Sequence, residues 1–393
     1  MKIIITVCVI LAVFILIAAG GIEKNPQWKG KIEKEDGIKV IKNPTEPVYG
    51  EIEFELEEDL SIGNEEDENY LFYRFVRLEI DSDGNIFALD SGNGRIQKFD
   101  RNGNYLQTIG RKGQGPGELN RPIHINLDEE GNIYVLESRR KLHSFDKTGK
   151  FQKTISLTHN MRDFKRGSEG NFLAQTWAMG RRDGKPAMLN QVSILDSECK
   201  ILKSIVSLPM YTPPPPPKPI NIGASYGPEV IFCPLNEELG VYAISSEYKF
   251  HVVNSSGIVT FKFTKDESPQ SFSKREKDNI IDSFKKSIAR SGMDTKFTTD
   301  FPKYKPFFHS IQNDDKGRMY IHKYQIIPNE ERIVNYDLFS KQGFYLYEVK
   351  MSKSPMIIKN GYLYSVERAK DTELLTIKRF KIKNWEQIKT GIN

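Results

Sequence analysis

The stretch from Leu78 to Ile155 contains one pattern written twice, and this repeat constrains the fold more than any other feature. Each copy begins with an apolar segment, a Gly-Asn turn at Gly84 or Gly131, and a second apolar segment that ends in a carboxylate. A polar loop and two further apolar segments around another glycine complete the copy. Four short strands per unit, repeated at a period of about 40 to 50 residues, predict the blades of a β-propeller.

The residues of the first copy also resemble a known family. It carries Asn85-Ile86-Phe87, Asp90, Arg95-Ile96, Phe99-Asp100 and Gly103, and residues 109–119 read IGRKGQGPGEL. This pattern resembles the bacterial six-bladed β-propellers related to the NHL-repeat proteins, most clearly over residues 77–157. The resemblance implies a six-bladed propeller in an exported bacterial setting, and most proteins of that kind have no assigned activity.

Turn glycines continue beyond the two clear copies and predict six inner hairpins, at Gly84, Gly131, Gly170, Gly240, Gly317 and Gly361. Their spacings are 47, 39, 70, 77 and 44 residues, so the two long gaps must contain insertions, which we place at residues 209–226 and 267–300. A chain of 393 residues therefore fits a single all-β, six-bladed propeller over residues 47–390.

The two insertions differ in character. Residues 213–217 are five prolines and predict an extended spacer, although a proline run is also a docking ligand for aromatic grooves. The segment Ser271–Met293 predicts the one inserted helix, because Ser273 and Glu276 form a capping box and apolar residues share one face. Its remaining face is basic, so the helix either covers the propeller or lies on anionic lipid.

The N-terminus predicts export. Residues 3–19 form an uncharged apolar run, so residues 1–21 are either a cleaved signal peptide or a retained membrane anchor. Cys8 lies inside the run, where no lipoprotein-type acylation site is visible. We expect a periplasmic or cell-surface location, membrane attachment through residues 3–19 if the run is retained, and a polar tether over residues 22–46.

The ends of the propeller should meet. The segment after Ser354 offers about three strands and lacks a fourth, whereas Glu51–Leu56 alternates apolar and acidic residues as a half-buried strand does. We therefore predict that this N-terminal strand completes the last blade and closes the ring.

Patterns of known chemistry are scarce. The net charge of +5 is spread along the chain and does not indicate nucleic-acid binding. The six histidines form no local metal-ligand spacing, and no cofactor motif is present. The acidic run Asp81-Ser82-Asp83-Gly84-Asn85 is best read as a hairpin turn. Cys199 and Cys233 should lie too far apart for a disulfide, and neither has the local signature of a nucleophile.

Candidate site residues come from register in the repeat. The inner strands of a propeller ring its central channel, and the places where they begin surround the channel mouth. Counting back seven residues from each turn glycine gives Arg77, His124, Asp163, Cys233 and Ser310, and Ser354 or a neighbour in the last blade. Glu79, Asn126 and Gln312 follow two residues later. We take Arg77, His124, Asp163, Glu79, Asn126 and Ser310 as a candidate ligand site, although a wet channel mouth is polar in any case.

The favoured interpretation is a non-enzymatic binding or scaffold propeller that recognises a protein partner or a small anionic ligand. Arg77 suits a carboxylate, and His124 beside Asp163 should become protonated on acidification and strengthen anion binding. The alternative is a metal-dependent lactonase- or lyase-like enzyme, whose metal would need Asp163, His124, Glu79 and Asn126. Arg77 disfavours that alternative, because a fixed positive charge repels a divalent cation.

Overall fold

A computed structural model describes residues 27–138, 140–182, 184–210, 219–291, 296–325, 333–369 and 374–392. Within them, six sheets each have four antiparallel blade strands, and one α-helix, Lys274–Ser291, lies between two of these sheets. The prediction of an all-β, six-bladed propeller with one inserted helix is confirmed.

We number the blades along the chain and give their strands from the channel outward. Blade one comprises Val76–Ile80, Ile86–Asp90, Arg95–Phe99 and Tyr105–Ile109. Blade two comprises Pro122–Leu127, Ile133–Glu137, Lys141–Phe145 and Phe151–Ser156. Blade three comprises Asn160–Arg166, Phe172–Arg182, Lys185–Leu195 and Ile201–Pro209. Blade four comprises Val230–Pro234, Leu239–Ile244, Lys249–Asn254 and Val259–Lys265. Blade five comprises Phe308–Asn313, Met319–Lys323, Val334–Phe339 and Tyr345–Met351. Blade six comprises Ile357–Lys359, Tyr362–Arg368, Leu375–Ile382 and, from the N-terminal part of the chain, Leu56–Ile62.

An N-terminal strand closes the ring, as predicted, but it begins later in the sequence. Leu56–Ile62 pairs antiparallel with Leu375–Ile382 and supplies the outer strand of blade six. Glu51–Glu53 instead pairs parallel with the outer strand of blade five. Phe54 and Glu55 separate the two segments, and the Phe54 ring is buried against Tyr320 of blade five.

The prediction of a polar tether over residues 22–46 is wrong for residues 31–43, which form paired strands. Lys31–Glu35 and Ile38–Asn43 form a hairpin, and the second of these strands pairs parallel with the outer strand of blade four. Val40 and Ile41 are fully buried by this pairing. Asn43 fixes the end of the hairpin, because its side-chain amide donates to the carbonyls of Thr264 and Gly343. Residues 1–26, which include the predicted signal or anchor, lie outside the described part of the chain.

Five of the six predicted turn glycines lie in inner hairpin turns with positive φ, and the sixth does not. Gly84, for example, has φ +83°. Gly240 instead lies inside the second strand of blade four, and the turn before it is held by the Asn236 side chain, which accepts from the amides of Glu238 and Leu239. Gly240 is required by packing, since a Cβ there would lie 2.7 Å from Leu173 Cδ2.

The two insertions pack on each other. The capping box is confirmed: the Ser273 amide donates to Glu276 Oε2 over 2.7 Å, and the Glu276 amide donates to Ser273 Oγ over 3.2 Å. Ile280 of the helix joins Ile222 and Phe272 in a small apolar cluster, and the short strands Ile220–Asn221 and Phe297–Thr298 pair in parallel. The proline run lies outside the described residues. Among the described helices, none is both long and apolar enough to cross a membrane.

Candidate functional site

The inner strands can be aligned by the backbone hydrogen bond that closes each inner turn. Five blades share an amide that donates to the carbonyl four residues later, from Asp81, Asp128, Gly167, Leu235 and Asp314. Four residues before these amides lie Arg77, His124, Asp163, Ile231 and Ser310, and two residues before them lie Glu79, Asn126, Lys165, Cys233 and Gln312. Register thus places the predicted residues at two levels of the channel. Cys233 was predicted at the level of Arg77 but lies at the level of Glu79, because the count started from Gly240, which is not a turn glycine.

One cavity of about 1030 Å³, which we call the chamber, occupies the centre of the propeller. It is lined by residues of all six blades, and four of the six predicted site residues bring side chains to one wall: Arg77, Glu79, His124 and Asp163. Ser310 lines it from blade five. Asn126 is buried and lies outside the lining. The volume is large enough for an organic ligand of ordinary size.

The upper wall of the chamber is basic. Arg77, Arg121 and Arg162 line it and are all exposed to solvent. Arg162 is paired, since its Nε lies 3.4 Å from Asp163 Oδ2. Arg77 and Arg121 make no side-chain hydrogen bond or ion pair with any described residue; the Arg77 guanidinium lies 5.9 Å from the centre of the Phe75 ring. No described residue uses the donors of these two guanidinium groups, which are therefore free to bind a ligand in the chamber.

Burial and the charge of Asp163 act in opposite directions on the pKa of His124. Its Nδ1 lies 3.9 Å from Asp163 Oδ1, which raises the pKa. Burial outweighs that contact and lowers the pKa of His124 below its ordinary value, and the charges of Arg77 and Arg162 lower it further. Acidification therefore charges this ring only at a lower pH than it charges an ordinary histidine, and the sequence could not show how far the imidazole is enclosed. The positive charge of the mouth comes from its arginines.

The lower level holds a carboxylate among cations. Burial raises the pKa of Glu79 above its ordinary value, while Lys165 and Lys359 oppose that rise. Both lysines are fixed by backbone carbonyls: Lys165 Nζ donates to Leu127 O over 2.5 Å, and Lys359 Nζ donates to Ile80 O over 2.6 Å. The Glu79 side chain is only half buried and still meets the chamber, so solvent moderates the effect.

Sequence reasoning missed several residues of the site. Arg121 lies just before the inner strand of blade two and Arg162 lies within the inner strand of blade three, and the count by register passed over both. Lys165 was missed because second-level residues were predicted for only three of the six inner strands. Phe75, Trp177 and His309 add aromatic surface to the lining. The clustering of arginine near the starts of two consecutive inner strands was a signal that could have found Arg121 and Arg162.

Other chemical readings can be judged from the geometry. Cys199 and Cys233 are free, as predicted; both are buried, and burial raises the pKa of the Cys199 thiol to about 12. Asp81 caps its own turn, because its Oδ1 accepts from the amides of Asp83 and Asn85. Asp90 accepts from the amides of Tyr73 and Asn93. Within the described residues, no three His, Cys, Asp or Glu side chains are grouped so that they could hold a metal ion.

Comparison with known proteins places this geometry in a family. The profile of a family described as 6-bladed beta-propeller matches residues 65–342. No match was found among curated proteins.

Several solved structures are similar to this chain at low sequence identity. A Bacteroides fragilis protein named as a candidate exported protein has a TM-score of 0.54 and 12% identity, over 88% of this chain and 99% of its own. A Bacteroides vulgatus protein has a TM-score of 0.47 and 13% identity over 84% and 98%. The calcium-binding protein regucalcin of Agrobacterium tumefaciens has a TM-score of 0.39 and 10% identity over 88% and 99%. The profile match covers well over half of the sequence, and this chain therefore belongs to the 6-bladed beta-propeller family.

Proposed function

We propose that this protein is an exported binding propeller whose chamber takes a ligand through a carboxylate or a similar anionic group. The observation that carries the proposal is the unpaired state of Arg77 and Arg121 at the chamber wall. An unpaired guanidinium facing an enclosed space binds a carboxylate bidentately, and partial exclusion of water strengthens that contact. Export rests on the apolar run of residues 3–19.

The arrangement of charges supports an anion over a metal ion. Asp163 is already occupied by Arg162 at 3.4 Å, and Glu79 lies within the fields of Lys165 and Lys359. A divalent cation would have to displace these contacts. The enzyme alternative also needed Asn126, which lies outside the lining. The geometry thus favours binding over metal-assisted lactone or lyase chemistry.

The experiment is a citrate titration followed by calorimetry and by thermal unfolding. At about one hundred times the dissociation constant, citrate should stabilise the fold by about 2.7 kcal/mol. Arg77→Met should weaken citrate binding roughly 10- to 100-fold, because a hydrogen bond to a charged group is worth about 1.5–3 kcal/mol. Arg275→Met, on an exposed helix position outside the chamber, removes the same charge and should change binding less than about twofold.

The anion and metal hypotheses predict opposite effects of a second variant on ligand affinity. Asp163→Asn frees Arg162 and removes a negative charge from the wall, so citrate binding should tighten several-fold. For a metal site the same change would weaken binding. Calcium that raises the melting temperature, with the effect lost in Asp163→Asn, would contradict the proposal.

A further inference from the structure

The second and third strands of blade three extend well beyond the blade. They are 11 residues each, whereas the inner strand beside them is 7 residues long. The inner strand pairs with the second strand only as far as Asn160 opposite Trp177. Residues 178–182 pair with the third strand on one side, and on the other side no described segment pairs with them. We call residues 178–182 the free edge.

The free edge stands at the chamber. Trp177, the last residue paired on both sides, lines the chamber, and the free edge continues from it on the side where the inner strands begin. Because the strands of a blade are ordered outward from the channel, the unpaired side is the one toward the channel axis. Unpaired strand edges carry free N–H and C=O groups and are usually shielded in native proteins. Met179 on this edge is 67% exposed.

Two arginines lie beside the free edge, one at its base and one on the edge itself. Arg140 at the base donates from Nε to the side-chain oxygen of Asn160 over 3.1 Å, and Asn160 is the partner of Trp177. Arg181 lies on the free edge and is exposed. Neither has a carboxylate within ion-pair distance among the described residues. A ligand that adds to this edge thus meets, at each end, an arginine that no described carboxylate neutralises, and Arg121 and Arg162 follow in the chamber wall.

We propose that the ligand is an extended acidic peptide segment of a partner protein, which adds as a strand to the free edge and places a carboxylate in the chamber. Main-chain hydrogen bonds to the edge supply affinity, and the arginines select acidic side chains. A peptide explains the open edge, which a small anion or a saccharide would leave unpaired. This inference rests on the proposed function, since it names the ligand class of the same site.

The test uses a fluorescein-labelled decapeptide that alternates Glu with Val or Thr, measured by fluorescence anisotropy. Two further peptides carry N-methyl groups on either the Glu amides or the Val and Thr amides. A strand bound at one edge uses only one of these sets, so one methylated peptide should lose at least tenfold in affinity and the other should bind as before. Equal binding of all three peptides would overturn strand addition.

A shortened hairpin isolates the free edge from the chamber. Ala178 and Leu189 face each other in register, so an Asn-Gly turn can replace residues 179–188 and leave the blade at ordinary length. This variant should bind the decapeptide at least tenfold more weakly while citrate affinity changes less than twofold. Arg140→Met should weaken the peptide several-fold and leave citrate unaffected.

The outcomes separate the two proposals. If citrate fails to bind the unmodified protein, the anionic chamber is refuted and this inference loses its basis. If citrate binds as expected but the shortened hairpin leaves the affinity for the peptide unchanged, this inference alone is refuted. An oligogalacturonate tests the competing ligand class: if it binds as tightly as the decapeptide and the shortened hairpin weakens both equally, the ligand is an acidic saccharide and the peptide inference is overturned.

Discussion

Arg318 should be one of the most sensitive positions of the fold. Its side chain is fully buried; Nε donates to Asp314 Oδ2 over 2.7 Å, and Nη1 donates to the carbonyl of Ile388 over 2.9 Å. Its guanidinium also stacks 4.1 Å from the centre of the Trp385 ring. It thus ties the inner turn of blade five to the C-terminal segment. Arg318→Met keeps the volume and leaves the Asp314 carboxylate buried without its cation, which costs about 3–5 kcal/mol.

The expected change is measurable in thermal and urea unfolding. A propeller of about 330 residues has an unfolding entropy of roughly 0.7 kcal/mol/K, so a loss of 3–5 kcal/mol lowers Tm by about 4–7 °C. Burial raises the pKa of Asp314, and Arg318 opposes that rise. Without Arg318 the pKa rises further, so the folded variant takes up a proton more readily than the unfolded chain. Its deficit should therefore shrink as the pH falls from 7 toward 5.

A double variant supplies the control. Arg318→Met combined with Asp314→Asn removes the uncompensated charge, and should recover part of the loss at pH 7, since the Asn side chain can still accept from the Tyr320 hydroxyl. If Arg318→Met costs less than about 1 kcal/mol, or if its deficit grows on acidification, the buried ion pair does not have the role assigned to it.

The buried histidines, the closing strand and the inserted helix can each be tested separately. Burial lowers the pKa of His251 and of His322 from 6.5 to about 4, so the free energy of unfolding should fall as the pH drops from about 6.5 to 4. Between pH 7.5 and 5, urea unfolding should show that the unmodified protein loses about 1–2 kcal/mol more per ring than a variant with both histidines changed to Gln. Ile62→Ala in the closing strand should cost about 2–4 kcal/mol, because the side chain is 1% exposed, and a cost below 1 kcal/mol would count against ring closure by this strand. Replacing residues 271–298 with a short flexible linker should remove helical ellipticity and retain the β-sheet spectrum; loss of the β spectrum would place the helix in the blade core.

The architecture was readable from the sequence because each blade repeats local rules. A carboxylate caps the turn at Asp81 and again at Asp128, and both turns end in a glycine of positive φ. Blade four departs from this rule: its turn is held by Asn236, and Gly240 is a packing glycine. A pattern of glycine spacing cannot distinguish a glycine required by φ from one required by a close neighbour.

The N-terminal segment and the site were less predictable. Residues 31–43 have polar composition, but their pairing with blade four depends on an edge more than 200 positions away in sequence. Arg77, His124 and Asp163 line the chamber at one level, because strand register repeats between blades. The direction of the pKa shift of His124 could not be predicted from the sequence, since it depends on how far the ring is buried. Arg121 was missed because it lies in a loop just before its inner strand.

The most direct test of the anionic chamber is a crystal structure with bound bromosuccinate, whose bromine can be located by anomalous scattering. The account predicts a bromine peak inside the chamber and a carboxylate about 2.7–2.9 Å from the guanidinium nitrogens of Arg77. A chamber without ligand at saturating concentration, or a calcium ion held by Glu79 and Asp163 when both ligand and metal are supplied, would contradict it.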